Sequence, residues 1–221
     1  MAASSSEPQV RTFQAHSDYT EVALRWDPPR REEALAEGFA LARKAIELDP
    51  ELPLAHLTMG NLHLRRHDYD EAAGWAERAI ALGPSDPENY AGLANIYSFM
   101  GRAGEALALM RKAVELDPAY PPRYGMYLGR AYLFTRRPEA AVPHLRDAAS
   151  RAPDYWPAHL FLAAAYGHLG LPDEAAAALA AVRRQVRLAS LRDADPADDY
   201  RAGPERDYYL EGLALAGLPR E

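Results

Sequence analysis

Small and apolar positions along the chain keep a fixed beat. Ala45, Ala79, Ala113, Ala148 and Val182 follow one another at 34 residues, with a single step of 35 between Ala113 and Ala148. Ala72, Ala106, Ala141 and Ala175 form a second column, and Pro50, Pro84, Pro118 and Pro153 a third, each with the same slip. Three columns that share one period and one slip exclude compositional accident. Small residues at fixed helical slots on this period predict stacked helix–turn–helix units.

Four full units follow, at residues 53–86, 87–120, 122–155 and 156–189. In the first, His56, Met59, Gly60 and His63 take the spacing W-x2-L-G-x2-Y, and Ala72, Ala76, Ala79 and Pro84 follow. The second puts Tyr90, Leu93, Ala94, Tyr97, Ala106, Met110, Ala113 and Pro118 on those slots. The third has Gly125, Leu128, Gly129, Tyr132, Ala141, Leu145, Ala148 and Pro153; the fourth has His159, Leu162, Ala163, Tyr166, Ala175, Leu179 and Val182, with Arg187 where the closing proline would stand. Gly or Ala at 60, 94, 129 and 163 lets paired helices approach closely. Gly101 and Gly170 fall where a helix ends in the left-handed conformation. Pro138 and Pro172 suit the first turn of the next helix, whereas Pro143, well inside one, predicts a local kink. At these residues the chain resembles the tetratricopeptide repeat family over roughly residues 32–189. The resemblance implies an all-α, right-handed α-α superhelical solenoid.

The ends depart from the pattern. Residues 1–17 read as a disordered tail, and 18–52 as a degenerate leading half-repeat. In the latter, Arg30 to Leu48 forms the second helix, with Gly38 in the close-contact slot. A short first helix near Asp18 to Trp26 is expected to break at Asp27, Pro28 and Pro29. Residues 190–221 read as a polar linker and a C-terminal capping helix from about Pro204 to Leu215, with Tyr208, Tyr209, Leu213 and Ala214 facing the last repeat. The run from Tyr208 to Pro219, with its Asp195-Pro196-Ala197-Asp198 lead-in, resembles tails that close the repeat arrays of bacterial regulators linked to class III nucleotide cyclases. That resemblance implies a bacterial regulatory or adaptor lineage and carries no catalytic activity with it.

Composition narrows the chemistry. The chain has 221 residues, 48% of them apolar, which is ample for a continuous core. A net charge of −7 argues against a nucleic-acid binder. With no cysteine there are no disulfides, thiolate metal sites or thiol nucleophiles. No stretch approaches the ~18 apolar residues of a membrane span, and the Ala/Ser-rich start lacks a signal-like apolar segment, so a cytoplasmic protein is expected. Charge is uneven: residues 121–192 hold ten arginines against five acids, about +5, which leaves about −12 elsewhere. No phosphate-cradling loop, nucleophile elbow or HExxH sequence occurs. His63 and His67, with His56 or Asp70, have the spacing of metal ligands, but His56 and His63 fill aromatic packing slots. Asp193, Asp195, Asp198 and Asp199 match a calcium loop only in composition and read as a solvated linker. No cofactor and no enzyme activity are expected.

Binding is the expected role. In the resembled architecture the first helix of each pair lines the concave surface. Here that implies a groove with apolar anchors at Leu57, Phe99, Met126, Phe134 and Leu160. A polar line of Asn61, Asn95 and Arg130 runs beside them, with Arg65, Arg123 and His168 at its margins. Asparagine amides suit a peptide backbone, and arginine pairs bidentately with carboxylates. The expected partner is therefore an extended peptide or amphipathic helix of another protein, with an acidic stretch of it at Arg123 and Arg130. A chaperone-type carboxylate clamp does not fit, since Leu57, Asn61, Gly92, Arg123 and Tyr127 stand where Lys, Asn, Asn, Lys and Arg are needed. The function implied is a non-catalytic scaffold or adaptor, monomeric or weakly self-associating. The alternatives are a self-assembling structural module and a regulatory subunit of a separately encoded enzyme.

Overall fold

A computed structural model describes residues 28–194 and 203–220, with side chains from Glu32 onward. The tail 1–17, the short helix near 18–26 and the Asp195–Asp198 lead-in lie outside the described residues. Eleven helices and no strand occur among the described residues. The chain divides into two compact units, Met1–Pro84 and Ser85–Glu221.

The first unit contains α1 (Pro28–Leu48), α2 (Pro53–Arg65) and α3 (Tyr69–Leu82), with α2 packed on both of the others. Helix α1 opens at Pro28 and Pro29, two residues before the Arg30 start expected from sequence, where a missing N–H costs nothing. Leu35, Phe39 and Ala42 of α1 bury themselves against Met59 and Leu62 of α2, flanked by Trp75. Gly38 permits this approach, since a Cβ there would stand 2.8 Å from Leu62 Cδ2. His56 fills its slot by donating Nε2–H to the Pro50 carbonyl at 2.8 Å and packing its ring on Trp75.

The second unit contains three helix pairs: α4 (Pro87–Phe99) with α5 (Ala103–Leu116), α6 (Pro122–Phe134) with α7 (Pro138–Arg151), and α8 (Trp156–Leu169) with α9 (Pro172–Arg183). A single turn, α10 (Leu191–Ala194), precedes α11 (Pro204–Leu215). Prolines occupy the first turns of α4, α6, α7, α8 and α9. Helix α7 carries Pro143 in its interior and still runs on to Arg151.

Small residues hold the pairs together. Ala72, Ala106, Ala141 and Ala175 are fully buried, as are Ala79, Ala113, Ala148 and Val182, whereas Ala45 of α1 is only half-buried. At Gly129 a Cβ would stand 2.4 Å from Leu145 Cγ and 3.2 Å from the Ala141 carbonyl oxygen, so α6 lies almost backbone-to-backbone on α7. The first helix of every pair ends in one turn shape. Residues 67, 101, 136 and 170 all take positive φ, at 64°, 76°, 59° and 66°. The next amide bonds back five residues in each: Asp68 to His63, Arg102 to Tyr97, Arg137 to Tyr132 and Leu171 to Tyr166, at 2.8–3.0 Å. This is the Schellman closure, which satisfies carbonyls that the helix end leaves open. Gly101 and Gly170 adopt it without cost, while His67 and Arg136 adopt it against their Cβ atoms.

Candidate binding surface

The tight pairing leaves one side of each first helix, α4, α6 and α8, turned away from its second helix. The local sequence builds that side. Asp86 caps α4 by accepting the Glu88 amide at 2.9 Å, which sets Glu88 at the start of the surface. One repeat on, Arg123 forms an ion pair with Glu88, and the Tyr124 hydroxyl donates to the same carboxylate at 2.8 Å. Tyr124 is buried, and burial first, then the Glu88 charge, pushes its phenol well above the ordinary tyrosine range.

A second rung lies deeper. Arg130 is only 2% exposed; its Nη2 donates to Asn95 Oδ1 at 2.6 Å. Its guanidinium faces the rings of Phe99 at 5.1 Å, Tyr127 at 5.0 Å and Phe161 at 5.8 Å. A delocalised, weakly hydrated cation tolerates such aromatic walls better than an ammonium would. Phe134 meets Phe161 edge-on with 6.0 Å between centroids. Met126 of α6 and Leu160 of α8 are buried as well. Asn95, Phe99, Arg130 and Phe134 are thus brought together with Phe161 as one largely buried layer, and Arg123 is exposed. In the first unit, Leu57 is buried, and Asn61 and Arg65 are half-buried, all on α2.

His168 has a different surrounding. Its ring stacks on Tyr208 of α11 at 3.7 Å between centroids, and Nε2–H donates to the Tyr208 carbonyl at 2.8 Å. Arg136 lies over the other side of the phenol at 4.5 Å. Burial pushes the Tyr208 phenol upward, against the pull of Arg136. Tyr209 packs its ring on Phe161 at 5.0 Å, and Leu213 is fully buried. Gly167 of α8 lies at the closest approach to α11. A Cβ there would stand 2.0 Å from the Gly212 carbonyl oxygen, so α8 and α11 touch through their backbones. The paired glycines were individually visible in sequence, but their 45-residue separation hides the contact. Among the described residues no group of three or more His, Cys, Asp or Glu could hold a metal ion.

Models of tetratricopeptide repeats match residues 30–87, 64–131 and 135–194. The chain belongs to the tetratricopeptide repeat family. Solved structures of similar fold include PilF of Pseudomonas aeruginosa, at 15% identity and TM-score 0.65 over 96% of this chain and 90% of that one. A thermophilic repeat protein of Thermus thermophilus, TTC0263, matches at 19% identity and TM-score 0.64, over 91% and 99% of the two chains. YrrB, described as a repeat protein with an unusual peptide-binding site, matches at 24% and TM-score 0.55, over 79% and 90%. At these identities the likeness is one of tetratricopeptide fold. A search of curated proteins by sequence found no match. No helix among the described residues is long and apolar enough to cross a membrane.

Proposed function

We propose that the chain is a cytoplasmic protein-binding scaffold of a regulatory lineage, which captures an amphipathic helix of a partner on the first-helix surface of α4, α6 and α8. The observation that carries this is the surface itself. It presents an aromatic layer, Phe99, Phe134 and Phe161 around Arg130, already complementary to a helix, because Tyr209 of α11 packs on Phe161 and is buried there. Leu57, Asn61 and Arg65 offer the corresponding side of α2 in the first unit. Membership of a family built on protein–protein contact supports the same role. An acidic partner segment is the weaker complement, since Arg123 is paired with Glu88 and Arg130 is buried against Asn95.

The test is site-specific photo-crosslinking in the native host, with the reactive side chain at Arg123 or Tyr127 of α6, or at Glu115 on the solvent side of α5. Discrete protein adducts from the α6 positions and none from Glu115 are expected. Adducts of equal yield from both sides, or none from α6, would contradict the reading.

A further inference from the structure

Helix α11 does not sit where a further repeat would. Within the Ser85–Glu221 unit, α6 packs on α5 and α8 on α7, in each case a first helix on the second helix of the preceding pair. Helix α11 instead rests chiefly on α8 and reaches α6, both first helices. Its inward residues are Glu205, Tyr208 with Tyr209, Gly212 with Leu213, and Ala216, the three–four spacing of a single helix side. Along that side it visits the repeats in order. Glu205 comes to the turn after α4, where a Cβ on Gly101 would stand 3.2 Å from Glu205 Oε2. Tyr208 lies between Arg136, just past α6, and His168 near the end of α8. Gly212 and Ala216 close on Gly167. A segment that runs across successive first helices and their closing turns, and touches each in order, is placed as a bound helix, not as the next member of the stack.

We infer that this face is a helix-binding surface which α11 fills in the free chain. The partner it fits is an amphipathic helix that presents two adjacent aromatics, a glycine four residues after the first and an aliphatic residue four after the second. The inference rests on the scaffold reading above and names both the partner's chemistry and its competitor. The glycine is demanded by backbone contact: a Cβ at Gly212 would stand 2.6 Å from the Ala164 carbonyl oxygen and 2.7 Å from His168 Cδ2. The first aromatic answers the stacked His168 and the Arg136 cation, and the second answers Phe161. A tethered occupant lowers the affinity for an outside helix in proportion to the fraction of chain left open.

The experiment uses the full chain and a fluorescent peptide of residues 203–218 as the probe, with a scrambled peptide beside it. Gly212→Leu expels α11 and leaves every repeat residue untouched; Tyr209→Ala with Leu213→Ala loosens it without added bulk. Both should bind the peptide at least about tenfold more tightly than the unaltered chain. Adding Gly167→Leu should abolish that gain, because the receptor side then lacks room. Freed chains that keep their helical circular dichroism yet bind no better, or bind the scrambled peptide equally, overturn the inference. So does cooperative unfolding of both variants, which would make α11 a folding cap. A concentration-dependent dimer of the unaltered chain that Gly212→Leu dissolves would assign the face to a second copy and overturn it as well. Crosslinks from α6 that persist while the peptide fails remove this inference alone; loss of those crosslinks removes the scaffold reading.

Discussion

Four turns of one shape are filled by two kinds of residue. Gly101 and Gly170 accept positive φ freely, while His67 and Arg136 hold it against their Cβ atoms, with the same closing hydrogen bond. Gly170 has no heavy atom near its missing Cβ, so Gly170→Ala isolates the backbone term, and a loss of about 1–2 kcal/mol is expected in urea unfolding. Gly74, exposed and mid-helix in α3 with equally open space, should respond oppositely, Gly74→Ala gaining about 0.5–1 kcal/mol. The glycine turns were legible in sequence, and their His and Arg counterparts were not, since nothing in those side chains asks for a left-handed backbone. His144 gives a pH signature. Burial against Tyr132 lowers its pKa below the ordinary 6.5, partly offset by Asp147. The unfolded chain then binds the proton more readily, so stability is complete above about pH 6.5 and declines as pH falls below it. His144→Gln should flatten that acid-side decline in thermal melts taken across the range.

Between elements, the deciding quantity is the gap between helix axes. Gly129 lets α6 descend onto Leu145, so Gly129→Ala should cost about 1–3 kcal/mol through overpacking. Combined with Leu145→Ala, the two losses should add to less than their sum, because the second change vacates the space the first invades. Such slots were readable because side-chain size alone tells the role, and the size repeats in register. The polar slots were less readable. Asn95 and Arg130 share a groove position one repeat apart, yet Arg130 turns inward among Phe99, Tyr127 and Phe161 and donates to Asn95. A pattern shows that a slot is polar; whether its neighbour answers it depends on side-chain reach across repeats. Asn95→Ala takes an acceptor from a buried cation and should cost about 2–3 kcal/mol, measurable as a shifted urea midpoint with an unchanged slope.

At the scale of the molecule, helix pairing and repeat class followed from the 34-residue columns, while the seat of the last helix did not. Its contacts with Gly101, Arg136 and His168 join residues 40 to 104 positions apart, and only the stack brings them together. The account holds that one face of the Ser85–Glu221 unit serves both α11 and a partner. Because the chain has no cysteine of its own, His168→Cys with Tyr208→Cys can be bridged by a bis-maleimide to hold α11 in place. Photo-crosslinking from Tyr127 should fall to background in the bridged chain and persist in the same variant left unbridged. Equal adduct yields from the two forms would contradict the account.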